Sequence, residues 1–197
     1  MDPISNLADL LSHCWQQLTR ARHDRHSPFR LATLATLDLS GAPALRMVVM
    51  RSVSRADNEL GCYTDLRSAK VGQLQADPRA SLLFWDKKHS LQIRAAGIMR
   101  LADQDTAEEL FDRLSKNSRT TYATRSAPGT SQPGPTDDLP PDWENLDLAE
   151  TDFACANFQP LLLSVTSLDV LQLGRPRHLR AQYVLSGNEW QGEWVTP

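Results

Sequence analysis

The sequence predicts a mainly β fold with flanking helices (α+β), built around a small antiparallel barrel or sandwich, and three observations predict it. Between Leu31 and Leu101, five runs rich in aliphatic and β-branched residues follow one another, broken by turn residues. Ahead of them, Leu7, Leu10, Leu11, Cys14, Trp15 and Leu18 recur at the spacing of one helical face. Finally, the 197 residues contain no mid-chain linker between two complete patterns, so residues 1–197 are expected to form a single domain.

In order, residues 5 to 21 read as a packing helix with Ser5 as its N-cap, and the charged stretch Arg20–His26 as its solvated end. Leu31–Leu37 reads as a strand, Asp38–Gly41 as a hairpin turn, 42 to 54 as the second strand, Arg55–Asn58 as a turn and 59 to 64 as the third strand. A short helix begins near Ser68 and ends before Pro78, because the residue preceding proline disfavours helical backbone. Residues 79 to 86 and 89 to 101 form a hairpin around Asp86–Lys88. Closing such strands into a barrel removes edges that would otherwise seek partners. Residues 105 to 119 read as a helix capped by Asp105, with Leu110, Phe111 and Leu114 on one side. From Ser126 to Glu150 the composition turns to Pro, Gly, Ser and Asp, which makes a long loop, either a lid or a solvated segment. Residues 158 to 173 form a strand, and 178 to 185 with 189 to 195 a last hairpin around Ser186–Asn188.

Composition narrows the function. Apolar residues make up 41% and charged residues 23%, as in ordinary globular proteins. No apolar run is long enough to span a bilayer, and Met1–Ser5 lacks the basic and apolar parts of a signal peptide, so a cytoplasmic location without membrane contact is expected. Cys14, Cys62 and Cys155 are odd in number and far apart, which supports neither a disulfide framework nor a zinc site. The net charge of −3 hides an asymmetry: residues 126 to 174 hold eight acidic residues and no Lys or Arg, leaving +5 elsewhere. A mildly basic body favours an anionic small molecule without forming the dense positive face of a nucleic-acid binder.

The glycines form no dinucleotide-binding or P-loop pattern and no nucleophile elbow, and the five histidines show no metal-ligand spacing. What remains is a set of phosphate-seeking groups along residues 44 to 97. Arg46 and Arg51 offer guanidinium forks, Tyr63, Thr64 and Ser68 hydroxyls, Lys70 an ammonium, and the helix start free backbone N–H groups. Arg46 and Arg51 are an odd number of residues apart, so a regular strand would send them to opposite faces; a bulge, or a ligand straddling the strand, is needed for both to serve one site.

Five blocks occur here in the order of a known family: Arg46-Met-Val-Val-Met-Arg51, Cys62-Tyr-Thr-Asp65, Ser68-Ala-Lys70, Asp77-Pro-Arg-Ala80 with Phe84-Trp85, and Leu91-Gln-Ile-Arg-Ala-Ala-Gly97. In this the chain resembles the pyridoxamine 5′-phosphate oxidase family of FMN flavoproteins, well over residues 30 to 101 and loosely over the C-terminal 40 residues. The resemblance implies an FMN-binding split β-barrel and a homodimer with the flavin between subunits. It further implies hydride transfer from a small, phosphorylated substrate to flavin and then to oxygen. It assigns Arg46, Ser68 and Lys70 to the FMN phosphate and Tyr63, Thr64 and Gln92 to the flavin and ribityl chain. The Met47, Val48 and Val49 stretch would line the cofactor. Arg51 matches a lysine that reaches both flavin and substrate, and Arg180 matches the last arginine of a C-terminal motif whose remainder is Arg177-His-Leu. Arg51, Arg180 and His178 would therefore orient the substrate, with Tyr122, Ser131 and Arg177 around it.

The departures concern substrate more than cofactor. A second basic residue at the helix start is Ala69 here, a tryptophan beside the flavin becomes Leu171, and the substrate-phosphate motif is half present in Tyr122 to Gln132, with Arg125 ahead of the arginine position and Ala127 in it. Loss of a bidentate arm weakens phosphate binding. The resemblance thus leaves open a flavin reductase, an oxidase for another substrate, or a non-catalytic flavin- or haem-binding split barrel.

Overall fold

The computed structural model describes residues 6–175 and 177–197. Its strands are β1 Leu31–Leu37, β2 Pro43–Ser54, β3 Glu59–Asp65, β4 Arg79–Asp86, β5 Leu91–Leu101, β6 Phe158–Gln172, β7 Leu179–Ser186 and β8 Glu189–Trp194. Neighbours pair in the order β3-β2-β1-β4-β5-β6-β7-β8, all antiparallel, and β3 also pairs with β6. That extra pairing closes the first six strands into a barrel. The length of β6 makes both pairings possible: its first half runs beside β3 and its second half beside β7, while β5 accompanies it along both.

Alternation decides what enters the barrel. Ala32, Leu34, Val48, Met50, Leu60, Cys62, Leu82, Phe84, Ile93, Ala95, Leu161 and Leu163 point inward and form the main core. Phe29 and Phe84 pack edge to face there, with ring centroids 5.8 Å apart. Between Ala96 and Gly97 the β5–β6 register shifts, and a Cβ on Gly97 would lie 1.9 Å from the Ser164 carbonyl oxygen, so only glycine fits.

Helix α1, Leu7–His23, turns Leu10, Cys14, Trp15 and Leu18 into this core. It also leans on the β7–β8 extension, where Trp15 meets Trp190 at 6.4 Å and the Tyr183 hydroxyl donates to the Leu7 carbonyl at 2.8 Å. The expected cap, Ser5, lies outside the described residues; Asn6 is the N-cap, its side chain accepting from Asp9 N. Helix α2, Ala69–Ala76, connects β3 to β4 and ends, as expected, just before Asp77-Pro78.

Two expectations for the middle of the chain are corrected. The helix expected over 105–119 is two helices, α3 Gln104–Asp112 and α4 Lys116–Arg119, and its cap is Asp103, not Asp105, because Asp103 is the extended residue whose carboxylate accepts from Thr106 N. The loop 126–150 is not solvated as a whole. Trp143 is buried with Phe111, Tyr122, Ala154 and Phe158 in a second core beside the barrel. The buried Arg119 guanidinium donates to the Leu148 carbonyl, the Thr151 hydroxyl and Asp152, and Lys116 Nζ donates to the carbonyls of Glu144 and Leu146. Two cations therefore pin residues 144–152, whereas residues 128–137 form a continuous exposed stretch.

Candidate functional site

A cavity of about 330 Å³ opens where β2 and β3 meet the start of α2 and the segment after α4. Arg46, Met47, Val48, Val49, Arg51, Tyr63, Thr64, Ser68, Lys70 and Tyr122 line it together with Thr121, Asp65 and Pro128. The strand-parity problem of Arg46 and Arg51 is resolved by a bulge. Met50 pairs with Cys62 and Ser52 with the adjacent Gly61, so Arg51 is the extra residue. It is thereby turned toward the cavity that Arg46 reaches from the regular part of the strand.

At one end of the cavity Lys70 Nζ donates to Thr64 Oγ1 at 2.9 Å and to Ser68 Oγ at 2.5 Å. Two of its three N–H donors are thus used, and burial, then the charge of Arg46, lowers its pKa. Arg46 donates to Thr36 Oγ1 at 2.5 Å, the Ala44 carbonyl at 3.0 Å and Gln73 Oε1 at 2.8 Å, and burial lowers its pKa as well. Among the described residues no carboxylate forms an ion pair with Arg46, Lys70 or Arg51. Two half-buried cations that repel each other, held by neutral oxygens with donors to spare, are a receptor for an anion. Ser68, the N-cap of α2, makes no side-chain cap bond; Ser68 N and Val71 N donate to the carbonyls of Asp65 and Ser68, which leaves the N–H groups of Ala69 and Lys70 at that helix start.

The other end is aromatic. The Arg51 guanidinium carbon stands 5.6 Å from the Tyr63 ring centroid, and Tyr63 and Tyr122 each meet Phe158 edge on at 4.9 Å. Burial pushes the Tyr122 phenol up to about 12 and raises that of Tyr63, so both remain hydroxyl donors at neutral pH.

The remaining expected residues lie elsewhere. Arg177, His178 and Arg180 border a separate cleft of about 300 Å³ with Trp194. Gln92 belongs with this second group, since the β5–β6–β7 ladder places Gln92, Leu171 and Arg180 in one row. Arg180 is held by Asp169 through Nε at 3.1 Å and a terminal nitrogen at 2.9 Å, and His178 Nδ1 accepts from Gly174 N. Burial alone would raise the Asp169 carboxyl, but hydrogen bonds from Arg180 and Gln182 and the charges of Arg180 and Arg94 outweigh it and hold it below the ordinary carboxylate range. Ser131 is exposed and lines neither cavity. Of the cavity residues not assigned from sequence, Pro128 lies inside the Tyr122–Gln132 motif, whereas Thr36, Gln73 and Thr121 were not singled out. Gln73 was the most accessible, lying one helical turn beyond Lys70, but the reach of Thr36 to Arg46 depends on strand register.

Fold and site together define a split β-barrel with an anion-receptive cavity at its strand-to-helix junction. The sequence model described as pyridoxamine 5′-phosphate oxidase, FMN-binding domain, matches residues 12–103. Pyridoxine/pyridoxamine 5′-phosphate oxidases of Maricaulis maris and Deinococcus deserti are 35% and 32% identical, over 52% and 54% of this chain and 45% and 50% of their own length. The chain thus spans about half the length of the curated relatives it matches. Among solved structures, a pyridoxamine 5′-phosphate oxidase-related, FMN binding protein from Nostoc punctiforme superimposes with a TM-score of 0.75 at 27% identity, covering 98% of this chain and 100% of that one. PhzG from Burkholderia lata, at 20% identity and a TM-score of 0.70 over 100% and 95% of the two chains, shares the fold. Over residues 12–103 the chain is similar to the FMN-binding domain of the pyridoxamine 5′-phosphate oxidase family, and its split-barrel fold is shared with a solved FMN-binding relative of that family.

Proposed function

We propose that the protein is an FMN-dependent oxidoreductase acting on a small molecule. The observation that carries this reading is the Arg46–Lys70 pair, two cations without a carboxylate partner among the described residues, facing one cavity through hydroxyl-bearing neighbours. The donor set fits a phosphomonoester: Arg46, Ser68, Lys70 and the α2 N-terminus hold its oxygens, with Thr64 steadying Lys70. Tyr63, the Met47–Val49 stretch and Arg51 line the space for a ring system. When bound, FMN would supply a two-electron acceptor for hydride from the substrate, with oxygen as the final electron acceptor. The protein's own contribution is to position the substrate, exclude water and keep Tyr63 and Tyr122 protonated.

Gln92, Arg177, His178 and Arg180 enter the reading through a second copy of the chain. On the outer face of β2-β1-β4-β5, Leu31, Leu45, Met47, Leu83 and Trp85 are 38% to 63% exposed and adjoin one another through the Thr33–Met47 and Thr33–Leu83 pairings. An apolar face of this kind favours a homodimer, in which the second cleft of one copy meets the cavity of the other.

A second reading keeps FMN and changes the substrate. Arg125 is paired with Asp138 at 3.1 Å, Ala127 carries no charge, and Ser131 stands outside the cavity, so the arm that would grip a substrate phosphate is missing from this chain's own cavity. The test is a visible spectrum before and after adding FMN, followed by anaerobic pyridoxamine 5′-phosphate. Bound flavin that bleaches supports the phosphorylated amine as substrate; bound flavin that stays oxidised supports the second reading. Absence of flavin binding refutes both, and a Soret band on adding haem would then point to a haem-binding barrel.

A further inference from the structure

Arg67 sits immediately before Ser68, where an arginine invites assignment to the phosphate. Its five N–H donors are instead all taken. Nε and one terminal nitrogen grip Asp65, at 3.0 and 2.7 Å; the other terminal nitrogen donates to the carbonyls of Thr124 and Arg125, at 3.0 and 3.3 Å; and the remaining N–H reaches Thr124 Oγ1 at 3.1 Å. Asp65 is buried at the end of β3, and its carboxylate also accepts from Arg67 N. The acceptors thus come from two segments far apart in sequence: the β3–α2 junction, which carries Thr64, Ser68 and Lys70, and residues 124–125, which follow Tyr122 and precede Pro128.

Neighbouring bonds make this a built junction. Leu66 N donates to the Asn157 carbonyl, and Asn157 Nδ2 donates to the Tyr122 carbonyl, so a second bridge runs parallel to the first. Beyond it, Arg125 N donates to the Asp138 carbonyl and Ser126 N to the Asp138 carboxylate, closing the base of the exposed stretch 128–137.

We infer that Arg67 is a positioning residue that staples the wall of the cavity formed by Tyr122 and Pro128 to its cationic floor. It sets the depth of the cavity and makes no contact with the bound anion. A lysine cannot replace it, because one ammonium cannot span two segments with a planar five-donor fork. The flavin arm of the test rests on the proposed function; the proteolysis arm does not.

The test compares the full-length wild type with Arg67→Gln, Arg67→Lys and Lys70→Met. FMN and riboflavin dissociation constants are measured by fluorescence, tryptic cleavage after the exposed Arg125 by mass spectrometry, and folding by circular dichroism and thermal melting. Both Arg67 variants are expected to weaken FMN and riboflavin equally, by about tenfold or more, and to speed cleavage after Arg125. Lys70→Met is expected to weaken FMN alone and leave that cleavage unchanged. A loss confined to FMN in Arg67→Gln would make Arg67 a phosphate ligand and overturn the proposal. So would Arg67→Lys behaving as wild type, or unchanged flavin constants with only a lowered melting temperature. If the wild type binds neither flavin, the functional reading fails, and cleavage after Arg125 alone decides the staple: faster in Arg67→Gln supports it, equal rates refute it.

Discussion

Replacing Lys70 by methionine keeps the length of the side chain and removes its charge, so it asks one question of the cavity: does the ammonium hold a phosphate? One charge-assisted hydrogen bond contributes about 1.5–3 kcal/mol, so FMN should bind roughly ten- to a hundredfold more weakly. At a concentration a hundred times the wild-type dissociation constant, FMN adds about 2.7 kcal/mol to wild-type stability, but only about 0.4–1.4 kcal/mol to the variant. Thermal melts resolve this, since about 1 kcal/mol moves a domain of this size by roughly 2–4 °C. The protein without ligand should barely change. It loses two hydrogen bonds, to Thr64 and Ser68, but also the cost of holding a half-buried cation beside Arg46. The pH dependence has a definite sign. Lys70 ionises below its ordinary value, so the folded chain releases this proton earlier than the unfolded chain. Between the two values this group makes the ligand-free protein more stable as pH rises, while FMN affinity falls because the charged form is lost. An FMN-induced melting shift in Lys70→Met equal to that of the wild type would refute a phosphate role for Lys70.

Three further outcomes are expected. Gly97→Ala forces apart β5 and β6 where a Cβ would meet the Ser164 carbonyl, and should cost about 2–4 kcal/mol in urea unfolding; a cost below about 0.5 kcal/mol would mean the bulge relaxes freely. The Asp169 carboxyl is held below its ordinary value, so its stabilisation is complete above the unfolded-state value and disappears as pH falls through the folded one. Asp169→Asn should therefore shrink the difference in stability between pH 7 and pH 3, by about 1–3 kcal/mol, and an unchanged difference would show that Asp169 contributes nothing. The homodimer proposed above should dissociate to monomers in Met47→Asp, which places a charge on the exposed apolar face, as read by sedimentation velocity; a dimer that survives would refute that face as the interface.

Local order was largely legible in the sequence. The β1–β2 turn at Asp38–Gly41, the start of α2 at Ser68 and its end before Pro78 follow from turn chemistry and proline sterics, which act over a few residues. Caps were less secure. Asp103 and Asp105 are both acceptable N-caps by composition, and only backbone conformation selects Asp103. The cluster of cations and hydroxyls between Arg46 and Lys70 was visible as a phosphate-seeking set because those residue types have few other uses at that density.

By itself, the sequence determined the β-rich class, the order of the strands and the chemical character of the candidate cavity, since strand propensity, turn chemistry and residue type are local properties. Tertiary structure alone decided that Arg51 is the bulged residue, that Thr36 and Gln73 brace Arg46, and that Arg180 and Gln92 stand apart from Arg46 within one chain. It also decided that Arg67, beside the phosphate-seeking residues, is spent on joining two walls. Register and donor saturation depend on partners brought from distant parts of the chain, and no pattern within one segment records which partner arrives.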